Sequence, residues 1–134
     1  ALSFPWGVRP LFDCRGAGCV ECCLETVMPL SRADIIRLKG LGFDVREFTV
    51  RGDGEVRLSN VDGRCFFLGV GCCTVYEDRP KGCRFYPLVL DGRRVIVDPD
   101  CRHGENFTVG PGEDARLKAF LRLLRREERM ERVR

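Results

Sequence analysis

Residues 14–23 read CRGAGCVECC, and this stretch decides the fold because it sets four cysteines within ten residues. Its glycines, Gly16 and Gly18, permit the tight backbone that brings thiolates together. Five more cysteines follow downstream: Cys65, Cys72, Cys73, Cys83 and Cys101. A metal ion or cluster takes about four thiolates, commonly some from one tight loop and the rest from elsewhere in the fold. The pattern therefore predicts a metal centre.

The number of cysteines argues against a disulfide framework of the secreted kind. Such a framework has an even number of cysteines and follows a signal peptide, whereas this chain has nine cysteines and opens without an apolar run. Arginine makes up 20 of the 23 basic residues and glutamine is missing, a composition that suits a heat-adapted, thermophile source. Because intracellular proteins of hyperthermophiles carry disulfides, disulfides remain a third alternative.

Composition and charge narrow the class of protein. A chain of 134 residues fits one domain, and no stretch reaches the length of a membrane span. The net charge of +3 is too small to indicate nucleic-acid binding by itself. We therefore expect a soluble, cytoplasmic protein without a membrane partner.

The segments after the first cysteine group predict short elements. Ser31, followed by Asp34 three residues later, marks the start of a helix. Hairpins are predicted over residues 48–58 and 87–97, the second with Asp91-Gly92 as its turn.

A longer helix is predicted over residues 113–134. Its apolar face is formed by Leu117, Phe120, Leu121 and Leu124, and its Arg-rich end is expected to be solvated. The predicted fold is α+β: a small, irregular, cysteine-rich metal-binding domain with short hairpins and a C-terminal helix. We assign residues 1–111 to the metal-binding domain and residues 112–134 to an amphipathic helix packed on it.

Spacing favours an iron–sulfur cluster over zinc. The pattern Cys14-x4-Cys19-x2-Cys22 equals that of plant-type two-iron ferredoxins, which take a fourth cysteine from further along the chain. Cys22 and Cys23 are adjacent, and neighbouring side chains tend to point apart, so both rarely ligate one tetrahedral zinc. They suit two metals or the two irons of one cluster. Structural zinc is the competing interpretation, because small domains commonly use it to stabilise the fold.

Several short motifs together resemble one family. They are Phe12-Asp13-Cys14, Cys19, Cys22-Cys23, the helix from Leu30 to Leu38, Cys65-Phe66-Phe67-Leu68, the run from Cys73 to Pro80, Cys83-Arg84-Phe85-Tyr86-Pro87, and Cys101. Over roughly residues 12–101 the chain resembles the YkgJ-like cysteine-cluster family, known as the CxxCxxCC zinc- or iron-chelating domain. The C-terminal helix lies outside the resemblance, and the loop between Cys14 and Cys19 is longer than in the commonest members.

The resemblance implies eight metal ligands: Cys14, Cys19, Cys22, Cys23, Cys65, Cys73, Cys83 and Cys101. Cys72 is extra to the family pattern. The single histidine, His103, fits either a further ligand or a residue of a surface loop. A related cysteine cluster in flagellin lysine methylases implies an iron–sulfur centre that supports a redox or methyl-transfer reaction.

Two arginines stand beside the second cysteine group. Arg79 and Arg84 are interpreted as cofactor-binding residues that offset cluster charge or donate hydrogen bonds to sulfur. The alternative is that they pair with Glu77, Asp78 or backbone carbonyls.

The sequence thus leaves two functions from different classes. The first is an iron–sulfur protein with a redox or enzyme-accessory role, and no catalytic residue is assigned to it. The second is a zinc-stabilised structural or interaction module without catalysis. It would contact a protein partner through the C-terminal helix, or RNA through the Arg-rich residues 122–134.

Overall fold

The computed structural model describes residues 23–70 and 72–132, together with two short paired strands, β1 (Ser3–Phe4) and β2 (Gly7–Val8). The ligand predictions for Cys14, Cys19 and Cys22 lie outside the described residues. Cys23 is the member of the first cysteine group that the structure describes.

Helix α1 (Arg32–Gly40) begins where the sequence predicts it. The Ser31 hydroxyl accepts the backbone N–H of Asp34 at 3.1 Å, and the Asp34 carboxylate accepts the N–H of Ser31 at 3.0 Å. This reciprocal capping box satisfies two N–H groups that need partners at a helix start. Both residues are buried, so the helix begins inside the protein. A second, single-turn helix, α2 (Val45–Phe48), begins after Asp44.

Six further strands among the described residues form three antiparallel hairpins: β3 (Thr49–Gly52) with β4 (Glu55–Leu58), β5 (Asn60–Val61) with β6 (Arg64–Cys65), and β7 (Leu88–Asp91) with β8 (Arg94–Val97). The first and third are the two predicted hairpins. In the third, Asp91 pairs with Arg94, so the turn residues are Gly92 and Arg93, one position later than predicted. Gly92 carries a φ of +62°, which suits a turn that needs glycine at its first central position.

The middle hairpin was missed by the sequence analysis, although it carries Cys65. Its turn residues, Asp62 and Gly63, have φ of +53° and +76°, the pattern of a type I′ turn. Asp-Gly is among the strongest short-range hairpin signals. The flanking strands have only two residues each, too short to show an alternating apolar pattern.

Buried side chains of the described residues form two clusters, named here the first and second cores. The first core contains Leu30, Leu38, Phe48, Val56, Leu58, Cys65, Phe67 and Val75. Its Phe67 ring contacts Phe43 and Phe48, with ring centroids 4.9 and 5.5 Å apart. The second core contains Phe85, Leu88, Leu117 and Phe120.

Two helices build the second core with hairpin β7–β8. Helix α3 (Lys81–Phe85) supplies Phe85, and helix α4 (Glu113–Arg132) supplies Leu117 and Phe120. The Phe85 and Phe120 rings stack at 5.7 Å. Leu121 and Leu124 pack against the same cluster, so the predicted apolar face of the C-terminal helix is confirmed.

The last turns of α4 are exposed at their arginines, as expected, but two of their acidic residues contact other elements of the fold. The Glu127 carboxylate accepts the backbone N–H of Arg32 at 2.8 Å. Arg32 is the first helical residue of α1. Glu131 lies 3.7 Å from the Arg32 guanidinium and 3.5 Å from that of Arg51. Glu127 and Glu131 therefore join the charged end of α4 to α1 and β3.

The predicted fold class is confirmed: the protein is a small α+β structure of short antiparallel hairpins with a C-terminal helix. The division at residues 111 and 112 stays a prediction. None of the helices in the described part of the chain has the length and apolar character needed to cross a membrane.

Candidate metal centre

Four of the predicted ligands lie on the first core. Cys65 belongs to the core itself and is only 6% exposed, while Cys23, Cys73 and Cys83 pack against it and are half-buried. They come from four separate segments of the chain. Cysteines from four segments therefore share contact with one apolar core.

An antiparallel bridge connects the first cysteine group to the middle hairpin. Leu24 bridges Arg64, and the N–H of Glu25 donates to the Gly63 carbonyl at 2.6 Å. Cys23 and Cys65 adjoin the two bridged residues in the sequence. The hairpin that carries Cys65 is thus hydrogen-bonded to the segment that follows Cys23.

A tight turn carries the chain from Cys65 to Cys73. Leu68 and Cys73 form an isolated antiparallel bridge, and the Phe67 carbonyl accepts both the N–H and the hydroxyl of Thr74, at 2.7 and 2.8 Å. A Cβ on Gly69 would lie only 2.7 Å from the Thr74 methyl carbon. Glycine at position 69 therefore allows the close approach that returns Cys73 to the core.

Cys72 lies within this turn. Its carbonyl accepts the N–H of Gly69 at 2.8 Å, and its side chain is half-buried. The backbone of Cys72 thus helps to close the turn. Its neighbour Cys73 is the cysteine that the family pattern includes.

Cys83 lies on α3, whose start is held by α1. The Asp34 carboxylate, which caps α1, also accepts the N–H of Lys81 at 3.0 Å. The Met28 sulfur sits so close to Gly82 that a Cβ on this residue would collide with it. A glycine next to Cys83 lets the chain before α1 pack directly on the helix that carries this thiol.

Cys101 follows β8 and is tied to the residues just after α3. Its N–H donates to the Asp98 carbonyl at 3.1 Å, and the N–H of Asp98 donates to the Pro87 carbonyl at 2.7 Å. The Tyr86 hydroxyl donates to the Asp98 carboxylate at 2.7 Å. Asp98 therefore links the Cys101 loop to the end of the Cys83 helix.

His103 lies two residues beyond Cys101, half-buried, with its carbonyl accepting the N–H of Asn106 at 3.0 Å. Across residues 23–70 and 72–132, no group of three or more His, Cys, Asp or Glu side chains is arranged to hold a metal ion. The eight-cysteine ligand set remains a prediction, and so does the part of His103.

Guanidinium groups surround the segment that precedes Cys83. Four consecutive carbonyls, those of residues 76–79, each accept an arginine N–H. Arg79 donates to the Tyr76 carbonyl, Arg84 to those of Glu77 and Arg79, and Arg37 to those of Asp78 and Arg79. The Arg79 guanidinium also lies over the Tyr76 ring, 3.9 Å from its centroid. These contacts match the alternative interpretation of Arg79 and Arg84, in which the two arginines pair with backbone carbonyls.

The three guanidinium groups lie close enough to influence one another, with carboxylates of the same segment nearby. Burial lowers the pKa of Arg84, and the neighbouring guanidiniums of Arg79 and Arg37 lower it further. The carboxylates of Asp78 and Glu77 act in the opposite direction on the same pKa. Thiolates, alone or on a metal, would add further negative charge beside Arg84.

Comparison with known protein families decides the assignment of the chain. The family model of CxxCxxCC, described as "Putative zinc- or iron-chelating domain", matches residues 13–103. The chain belongs to this family. No curated protein and no solved structure matches it. The resemblance inferred from the cysteine motifs is confirmed, and the matched range includes all nine cysteines.

The donor set of this CxxCxxCC domain fits the metals that the family description names. Cysteine thiolates ligate both zinc and the irons of iron–sulfur clusters. The family assignment supports metal binding by a cysteine cluster and covers zinc and iron alike.

Sequence reasoning missed two residues that support this CxxCxxCC site. Asp34 was interpreted as the partner of Ser31 in a capping box, and both residues as part of the helix that the family resemblance includes. Both reach the segment before Cys83, which lies more than 40 positions along the chain. Local sequence patterns contain no signal for contacts at that separation.

Proposed function

We propose that this CxxCxxCC domain holds an iron–sulfur cluster in a redox or enzyme-accessory role. Its ligands would be drawn from the eight cysteines Cys14, Cys19, Cys22, Cys23, Cys65, Cys73, Cys83 and Cys101. The observation that carries the proposal is the packing of Cys23, Cys65, Cys73 and Cys83 on one apolar core. These four cysteines come from distant segments of the chain and do not belong to a single strand or helix.

The surroundings of these thiols suit a cluster. Cys65 is almost fully buried, and a low-dielectric site with limited solvent access is one of the means by which proteins set cluster potential. The charge that several thiolates bring to such a site needs compensation. Arg79 and Arg84, held on the carbonyls of residues 76–79, would supply positive charge beside Cys83.

The adjacent cysteines favour iron–sulfur over a single zinc. Cys72 and Cys73 have different contacts in the structure: the Cys72 carbonyl closes the turn, whereas Cys73 packs against the core. Cys22 and Cys23 would instead serve two irons of one cluster. A bound cluster supplies one-electron transfer, while the chain's own residues hold it, shield it from water and balance its charge.

The experiment is to measure iron, zinc and acid-labile sulfide per chain on protein purified without oxygen, with an absorption spectrum. We expect iron and sulfide in similar amounts with a broad visible band. Zinc without sulfide would overturn the iron–sulfur proposal.

A structural zinc site is the second candidate, and the sheet topology favours it. The described strands form only two-stranded hairpins, and an isolated two-stranded hairpin is marginally stable in water. Small domains gain folding free energy from bound zinc. In this case the protein would act through a partner, with α4 as the contact surface.

We also propose a cytoplasmic location. Thiolate ligands persist in compartments that keep cysteines reduced. Protein extracted under non-reducing conditions with thiols blocked should then show no interchain or intrachain disulfides.

A further inference from the structure

We propose that Asp34 and Arg37 of α1 are positioning residues of the metal centre, because together they fix the segment that carries Cys83. The inference rests on the proposed function, since it takes Cys83 to be a ligand. It assigns a function to two residues outside every cysteine motif. We name this pair the α1 clamp.

The clamp makes three contacts with one short segment. Arg37 donates through Nη2 to the Arg79 carbonyl at 2.9 Å and through Nε to the Asp78 carbonyl at 3.4 Å. Asp34 accepts the N–H of Lys81 through Oδ1 at 3.0 Å. Lys81 is the first residue of α3, so the clamp sets both the approach and the start of the helix that carries Cys83.

The two clamp residues also hold each other. Arg37 Nη2 lies 2.9 Å from Asp34 Oδ1, and the Asp34 side chain is only 1% exposed. The second carboxylate oxygen accepts the N–H of Ser31. A buried carboxylate is stable only where its oxygens find donors, and here those donors come from α1 itself and from α3. The carboxylate therefore couples the two helices rigidly.

Placement of this kind matters for a metal centre. Residues around a metal site orient the metal-ligating side chains through hydrogen bonds. Substitution of such an orienting residue typically lowers metal affinity by about 10–100-fold. Cys83 is two residues beyond Lys81, within the first turn of α3. A shift at the start of this short helix would move the thiol directly.

The planar fork of Arg37 distinguishes positioning from charge compensation. Arginine presents fixed N–H groups to two carbonyls at once, whereas lysine carries the same charge without that geometry. Arg37→Lys keeps the charge and removes the fork. Arg37→Met removes both.

The experiment challenges the metal-loaded full-length protein with excess EDTA and follows metal release by elemental analysis of the filtrate. It is run at a temperature at which circular dichroism shows every variant folded. We expect Arg37→Lys, Arg37→Met and Asp34→Asn to release metal at least about 10-fold faster than the wild type.

Two controls separate the clamp from general stability. Ser31→Ala removes the hydroxyl that caps α1 but leaves the contact between Asp34 and Lys81, and Arg46→Met removes an exposed arginine that pairs with Asp44. We expect both to release metal at the wild-type rate, even where Ser31→Ala lowers the thermal midpoint. Wild-type release from Arg37→Lys and Asp34→Asn, or equally fast release from Ser31→Ala, would overturn the proposal.

Cys83→Ser keeps a failure of the clamp distinct from a failure of the ligand assignment. We expect X-ray absorption at the metal edge to count fewer sulfur neighbours in this variant. If metal content and sulfur count stay unchanged, Cys83 is not a ligand and the proposed ligand set is wrong. If Cys83→Ser loses sulfur while the clamp variants hold metal normally, only the positioning role is refuted.

Discussion

The first and second cores are held together by different means. The second core brings together Leu117 and Phe120 of one long helix with Phe85 and Leu88. The first core is assembled from short elements whose ends are joined by polar contacts, with Asp34 at the centre of several. The comparison teaches that regular apolar spacing is enough for one half of the molecule, whereas the cysteine-bearing half depends on long-range hydrogen bonds and, in our proposal, on metal.

Metal removal should give the largest difference in stability between the two cores. Structural metal can contribute about 10–16 kcal/mol to the folding of a small domain, which is comparable to the whole stability of a typical protein. After chelation under reducing conditions, we expect fast amide hydrogen exchange in residues 65–75 and slower exchange in residues 117–124.

Hydrogen exchange with mass spectrometry on the metal-loaded and metal-free protein measures this directly. Equal protection of residues 65–75 in both states would show that the first core stays folded without metal. Equal loss in both segments would show that the two cores unfold as one unit.

Large-to-small substitutions in each core should give similar stability losses and different metal contents. Phe120 and Phe67 are both buried, at 3% and 1% exposure, and Phe→Ala in a core costs about 3–5 kcal/mol. We expect Phe120→Ala to keep more of its metal than Phe67→Ala, because Cys23, Cys65, Cys73 and Cys83 pack on the other core. Phe67→Ala should lose metal, since the Phe67 ring belongs to the core that contains Cys65 and against which Cys73 packs.

Urea unfolding and elemental analysis on the two variants provide the check. The comparison between the cores fails if Phe120→Ala loses as much metal as Phe67→Ala does.

The same difference explains which features could be predicted from sequence. The apolar face of α4 and the capping box of α1 depend on residues three or four positions apart, and both were found. The cysteines could be identified by type, but Cys65 reaches the core on a short hairpin that turns at Asp62-Gly63 and has no apolar pattern. The contacts of Asp34 with Lys81 join distant positions, so no local rule predicts them.

A glycine comparison tests the turn between Cys65 and Cys73. In Gly69→Ala the new Cβ would lie 2.7 Å from the Thr74 methyl carbon, and overpacking of this kind costs about 1–3 kcal/mol. We expect Gly69→Ala to lower both stability and metal content.

Gly40→Ala is the matched control, because a Cβ there meets nothing within 4 Å and Gly40 lies in α1. Alanine in a helix is favoured over glycine by about 0.5–1 kcal/mol, so this variant should be slightly more stable than the wild type. Thermal melts of the two variants measure the contrast. A Gly69→Ala protein as stable as Gly40→Ala would show that the turn has room to adjust.

The smallest effect is expected where the two cores meet. Glu127 of α4 places its carboxylate 2.8 Å from the N–H of Arg32, at the positive end of the α1 dipole. A negative charge at a helix N-terminus contributes about 0.3–1 kcal/mol, and salt screens it. Glu127→Gln keeps a hydrogen-bond acceptor and removes the charge, so we expect a loss of this size at low ionic strength.

Urea titrations of the wild type and Glu127→Gln at low and high salt measure this contribution. The difference in unfolding free energy should shrink as salt rises, because the charge acts on the dipole through solvent-accessible surroundings. A difference that is independent of salt would mean that Glu127 joins the cores through hydrogen-bond geometry alone. The α4–α1 contact would then resemble the polar contacts of the first core rather than an electrostatic link between two independent halves.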